Sequence, residues 1–214
     1  SDYEIIVADA GSVDKTVEIA KSFGCRLTKG GNPAESRNEG AKVARGEIFL
    51  FLDSDNIYLP DDFFETLLYE FEKRNLGVAY FPIFPKGNFL DKIVYTIYHW
   101  WVKLTQKFLP QAVNSILIRR SVFEKIGGFD KTIKIGEDYD LALRAGKISK
   151  YGFIETKPVL TSARRFEVDG RLRTYLKYII VGIYMLFFGP LRKNLFSYRF
   201  SHYKKEKNGK TTKN

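Results

Sequence analysis

A single cysteine in 214 residues rules out an internal disulfide, and a chain of this length closes a core without covalent staples. Cys25 stands in Gly24-Cys25-Arg26-Leu27, at the start of an expected strand, where it reads as a small buried hydrophobe. That usage fits a reducing, cytoplasmic setting. The sequence shows no signal-peptide pattern, no internal repeat, and no low-complexity tract before its Lys-rich end. It also lacks a long apolar run. Tyr175 to Leu191, the most apolar stretch, has 17 residues, at the lower edge of what crosses a bilayer. A spanning helix, an in-plane membrane helix and a packing helix are all open for it. Acidic residues are scarce at the end: from Arg192 onward Glu206 faces eight Lys and Arg.

What is present is an ordinary globular composition, 44% hydrophobic and 28% charged, with a formal net charge of +10. Charge alone admits nucleic acid, anionic membrane or phosphorylated substrates as partners. Much of the excess lies in the tail, directly after the apolar stretch, which favours an anionic membrane surface and no nucleic acid. The expected organisation is a catalytic unit over 1–170, followed by an apolar helix and basic tail over 171–214.

Strand and helix signals alternate. Tyr3 to Ala8 is a β-type run ended by Asp9-Ala10-Gly11-Ser12, followed by a helix over Val17–Phe23 and a strand at Cys25–Thr28. Ala34–Ala44 is a helix rich in small residues. Glu47–Leu52 is the clearest strand, apolar on both faces after Glu47, as a central parallel strand would be. A helix over Asp61–Arg74 and a strand over Val78–Phe84 come next, then an aromatic amphipathic helix over Phe89–Leu109. Ser115–Arg119 reads as a strand, Ser121–Ile126 and Asp138–Ala145 as helices, and Gly152–Thr161 as one strand or two. The pattern predicts an α/β fold with a Rossmann-like, mostly parallel open sheet flanked by helices.

Four clusters carry candidate chemistry. Asp53-Ser54-Asp55 ends the apolar strand, where open α/β sheets bind ligands. Its carboxylates suit Mg²⁺ or Mn²⁺, although a polar turn explains the same residues. Glu137, Asp138 and Asp140 crowd the first turn of a helix; the dipole there favours acids, and mutual repulsion would raise one pKa toward that of a general base. Asp9 closes another strand, and Arg37 sits early in its helix, either meeting phosphate or ribose or lying in solvent. Arg164 and Arg165 either clamp a diphosphate or simply begin a helix.

In order and spacing these runs resemble glycosyltransferase family 2, the inverting enzymes of GT-A fold. The matching stretches are Glu4–Asp9 with Gly11–Thr16, Ser36-Arg37-Asn38-Glu39-Gly40, Ala44–Asp55, Arg119–Phe123, Gly127–Asp130 and Glu137–Arg144, within residues 3–166. The resemblance implies transfer of a sugar from a UDP- or GDP-sugar to a glycan or lipid-linked acceptor, with Mg²⁺ or Mn²⁺ as cofactor. It implies Asp9 on the nucleotide base, Arg37 near the nucleotide, Asp53 on the ribose or the metal's outer shell, and Asp55 on the metal. Asp138 would be the general base and Glu137 its neighbour at the acceptor site. Two departures are visible: the family's opening strand and its turn are not in the chain, so an upstream segment is expected to be missing, and Ala10 stands where Asp is usual. A catalytically impaired, nucleotide-sugar-binding relative is the alternative. The expected location is the cytoplasmic side of the cell membrane, peripheral or anchored by 175–191.

Overall fold

The computed structural model describes residues 3–192. Strands β1 (Ile6–Asp9) and β2 (Arg26–Lys29), with helix α1 (Thr16–Ser22) between them, form a parallel pair. Helix α2 (Pro33–Val43) starts at a capping box: the Asn32 side chain accepts from the Glu35 N–H, and the Glu35 carboxylate accepts from the Asn32 N–H. Proline at the first helical position sets φ in advance. Then come β3 (Ile48–Leu52), β4 (Asn56–Tyr58), α3 (Phe63–Lys73), β5 (Val78–Tyr80) and β6 (Ile83–Pro85). Helix α4 (Phe89–Thr105) leads to β7 (Ser115–Arg119), α5 (Arg120–Lys125) and α6 (Glu137–Ile148). Strands β8 (Tyr151–Phe153) and β9 (Val159–Thr161) and helices α7 (Arg164–Asp169) and α8 (Arg171–Phe188) complete the described chain.

The α/β class is as expected, but the sheets are mixed, not mostly parallel. A four-stranded sheet runs β3-β7-β5-β8 and a three-stranded one β4-β9-β6. Parallel pairings (β1–β2, β5–β8, β6–β9) alternate with antiparallel ones (β3–β7, β5–β7, β4–β9). Val78–Phe84, expected as a single strand, and Gly152–Thr161, expected as one strand or two, each split at a proline. Pro82 separates β5 from β6, and Pro158 immediately precedes β9, so each run serves two sheets. Proline has no N–H to donate and ends a ladder where it stands.

Side-chain alternation along the larger sheet divides the core in two. Val78, Tyr80, Ile116 and Ile118 pack on one side with Leu141, Ala142 and Ala145 of α6. Ala79 and Leu117 pack on the other with Phe63, Leu67 and Phe71, which recur every fourth residue on α3. Covering on both sides explains the doubly apolar β3. That strand is not central and parallel: it is antiparallel to β7 and stands at the sheet's edge. Its outer edge and that of β1, which among the described residues pair with no strand, border one cavity of about 2330 Å³. Cys25 is half-buried, less enclosed than expected.

One buried side chain joins distant parts of the chain. Asn38 of α2 donates through Nδ2 to the Phe129 carbonyl at 2.8 Å and accepts from the Phe129 N–H at 2.9 Å. Gly128 makes room for it: a Cβ there would lie 2.6 Å from Asn38 Oδ1, and its φ of +70° is one that L side chains rarely adopt. Replacing Asn38 with alanine leaves two buried backbone groups without partners. Asn38→Ala is expected to lower the unfolding free energy by about 2–3 kcal/mol, read as a lower urea midpoint with an unchanged m-value.

Candidate functional site

Three elements that meet at the sheet edge bring four of the expected residues together. Arg37 extends from the second turn of α2, Asp53 follows β3, and Glu137 and Asp138 open α6. Arg37 Nη2 lies 2.6 Å from Asp53 Oδ1, and Nη1 lies 2.8 Å from both Glu137 Oε1 and Asp138 Oδ1. The guanidinium stacks on the Phe129 ring, 5.2 Å from its centroid. Burial alone would lower the Arg37 pKa, but Asp138, Asp53 and Glu137 outweigh it and raise it. The immediate partners of Arg37 are therefore carboxylates, where the sequence suggested a nucleotide.

Asp138 is almost fully buried. Its Oδ2 accepts the Asn114 N–H at 2.9 Å, from a backbone in the left-handed region at φ +61°. Its Oδ1 is near Arg37 but accepts no hydrogen bond among the described residues. Three acids share one cation, so the group carries net negative charge. Burial foremost, with Glu137 and Asp53 beside it, pushes the Asp138 carboxyl well above the usual carboxylate range against the pull of Arg37. The third acid of the motif is differently employed: Asp140 bonds Arg144 at 2.7 Å, and Arg144 donates to the Ile126 and Gly128 carbonyls. The helix begins at Gly136, φ +89°, where a Cβ would lie 2.4 Å from Met185 Sδ of α8.

Asp55 also lines the cavity. Its carbonyl accepts from Thr161 and from the Ser162 N–H, tying it to β9. Burial first and Asp53 second raise the pKa of its carboxyl, while Thr161 and Arg165 pull it down. Such a carboxylate gains from a neighbouring cation. Among the described residues no three acidic, His or Cys side chains converge as a metal cage. A divalent ion at Asp55 would have to complete its shell with other oxygens, such as substrate phosphates, as Mg²⁺ commonly does. Asp53 is already engaged by Arg37.

Arg164 and Arg165 begin α7, and both line the cavity. Arg165 Nη1 donates to the Tyr178 hydroxyl of α8 at 3.2 Å. Asp9 stands apart. Its carboxylate accepts the Gly11 and Ser12 N–H groups of its own turn, and the Ser12 bonds foremost hold its pKa down. Sequence reasoning gave no role to Asn114, Phe129 or Tyr178. Phe129 lay within the quoted Gly127–Asp130 run, whereas neither of the other two has a local signature.

Residues 1–130 match the family model described as "Glycosyl transferase family 2". An uncharacterized glycosyltransferase of Haemophilus influenzae is 27% identical over 163 residues, 67% of this chain and 52% of that protein, so the chain spans about half the length of this relative. Among solved structures, S. aureus TarS 1-349 in complex with UDP-GlcNAc superposes with a TM-score of 0.56 at 18% identity, covering 75% of this chain and 50% of that one. A mannosyltransferase from Pyrobaculum calidifontis in complex with GDP-Man and Mn²⁺ gives 0.58 at 15%, covering 83% and 55%. These likenesses show the fold.

Removing the shared cation tests the electrostatic reading. Arg37→Leu is expected to cost about 3–5 kcal/mol of stability near neutral pH, because three carboxylates remain uncompensated. Without the pull of Arg37 the folded-state pKa of Asp138 stands further above its unfolded value, so stability is lost as pH rises and recovered as it falls. The deficit should shrink between about pH 8 and pH 5 in urea titrations; a deficit independent of pH would contradict the charge cluster as its cause.

Proposed function

The chain belongs to glycosyl transferase family 2, and we propose that it transfers a sugar from a nucleoside-diphosphate sugar to an acceptor, with inversion and with help from a divalent metal. The observation that carries this reading is Asp138, a cavity-lining residue of the family-like Glu137-Asp138 pair whose buried Oδ1 accepts no hydrogen bond among the described residues.

With a hydroxyl acceptor, the proton passes to the Asp138 carboxylate as the acceptor oxygen bonds to the anomeric carbon. The bond from that carbon to the diphosphate oxygen breaks, and its electron pair leaves with the nucleoside diphosphate. A phosphate acceptor would attack through an oxygen already ionised. Attack from the face opposite the leaving group inverts the centre. Asp138 holds the proton, Glu137 and Arg37 fix its orientation, and Arg164 and Arg165 offer charge to the diphosphate. Asp55 would hold Mg²⁺ or Mn²⁺, which supplies charge compensation to the departing phosphates when bound. Asp9, at the end of β1, would serve the nucleotide base, and Asp53 the ribose or the metal's outer shell.

The neighbours crystallised with UDP-GlcNAc and with GDP-Man and Mn²⁺ support a UDP- or GDP-sugar donor and a divalent ion here. The acceptor is a glycan or a lipid-linked molecule. The working location is the cytoplasmic face of a cell membrane, with 1–170 as the catalytic unit and 171–214 as its membrane-facing appendage. Residues 193–214 of that appendage lie outside the described residues. Among the described residues no helix is long and apolar enough to cross a membrane, which supports in-plane attachment through α8 over anchoring by a span at 175–191. Nucleic acid is not a partner in this reading. A catalytically impaired, nucleotide-sugar-binding relative is the second reading, favoured by the engagement of Asp53 and Asp138 with Arg37.

Asp138→Asn should lower transfer at least about a thousandfold while leaving donor affinity nearly unchanged, measured by product formation and by calorimetric titration of the donor. Full transfer by that variant would remove Asp138 as the base. The base must be ionised to act and its pKa is raised, so wild-type kcat/KM with a hydroxyl acceptor should rise with pH through an inflection at about 7, above the ordinary carboxylate range. In a thermal-shift panel, UDP- and GDP-sugars should raise Tm more with Mn²⁺ than without it; turnover in the same mixtures separates enzyme from binding relative.

A further inference from the structure

The cavity that holds the carboxylates does not end at the sheet. It continues between α4 and α8, where Val94, Ile97 and Trp101 form one wall and Ile179, Ile183 and Leu186 belong to the other. Buried polar contacts fix the two helices around it. Asp91 of α4 is fully buried, caps its own helix by accepting the Asn88 N–H, and binds Arg171 and the Tyr175 hydroxyl of α8. From there α8 crosses the mouth of the site. Tyr178 receives the Arg165 bond, and Met185 covers Gly136 one residue before Glu137. A ligand whose reactive end sits at Asp138 thus has an apolar passage leading away from it.

Both helices also expose apolar side chains, among them Ile97, Ile179 and Ile183 of the passage walls. Phe89, Ile93, Ile97, Trp100 and Leu104 form a stripe at helical spacing along α4. Leu172, Leu176, Ile179, Ile183 and Phe187 form another along α8, with Phe187 74% exposed. Soluble proteins seldom present apolar surface of this extent to water. The charged residues of the two helices are mostly basic: Lys92, Arg173 and Lys177 stand beside Lys103, which pairs with Glu155, and Arg171, which pairs with the internal Asp91. Basic residues beside exposed apolar and Trp side chains complement an anionic bilayer, with the helices in its plane.

We propose that α4 and α8 seat the protein on an anionic lipid surface, and that its acceptor is a lipid whose hydrocarbon chain occupies the α4–α8 passage while its polar head reaches Asp138. The proposal rests on the transferase reading for the reaction; it narrows the acceptor to a lipid, gives its chain a place between α4 and α8, and adds α4 to the membrane-facing surface.

Trp100 and Trp101 are the two tryptophans of the sequence, and both are on α4, so intrinsic fluorescence reports on this face directly. Phosphatidylcholine vesicles containing phosphatidylglycerol, with bromine on the acyl chains, should quench and blue-shift that emission. Vesicles of phosphatidylcholine alone should do so far less, and Trp100→Glu should weaken binding about tenfold or more with an unchanged Tm. Absence of quenching overturns the bilayer surface. So does a concentration-dependent dimer, seen by sedimentation, that Trp100→Glu converts to monomer. Farnesyl phosphate, a soluble chain-bearing probe, should raise Tm where inorganic phosphate does not, and the exposed-site variant Ile183→Glu should lose that shift. Equal shifts from the two probes overturn the passage. The shift produced by UDP with Mn²⁺ is read in the same variants. Its failure counts against the donor reading and leaves the lipid surface standing, and the converse result separates them the other way.

Discussion

The site depends on one guanidinium neutralising what it can of three carboxylates in a place with little water. Arg37 of α2 is held by Asp53, which follows β3, and by Glu137 and Asp138, which open α6. Buried charges persist only where they are paired, so α2, the end of β3 and the start of α6 are constrained to meet at one point. The pairing is incomplete by stoichiometry: one positive charge serves three negative ones. That imbalance, added to burial, holds the Asp138 carboxyl above the ordinary carboxylate range.

Much of the fold was legible because its signals are local. The capping residues at Asn32, the fourfold spacing of Phe63, Leu67 and Phe71, and the apolar run before Asp53 each declare an element within a few residues. Strand order was not legible. An apolar run covered on both sides reads the same at the centre of a parallel sheet and at the edge of a mixed one, and only the partner across the ladder decides. Pro82 and Pro158 did carry a readable signal, since a proline inside a strand-like run argues for a break.

The site was legible as residues and not as a network. Its motifs named Arg37, Asp53, Glu137 and Asp138, yet gave no hint that the first binds the other three. Asn114 contributes a backbone N–H, which no side-chain pattern can announce, and its role follows from a left-handed backbone that appears only in three dimensions. Asp140 shows the opposite case. It looked like a third member of the acidic cluster, but an i,i+4 bond to Arg144 turns it into a scaffold for the Gly127-Gly128 turn.

The contacts of α2 also bear on how the chain reaches this state. Arg37 meets Glu137 across 100 residues of sequence, and its neighbour Asn38 meets Phe129 across 91. Neither can form until a loop of that length has closed, a step whose entropic cost precedes any reward. The charge cluster around Arg37 is therefore a late product of folding, and fluctuations that detach α2 dismantle it as a unit. Activity should vanish in partially folded ensembles that still retain most of their helices and strands.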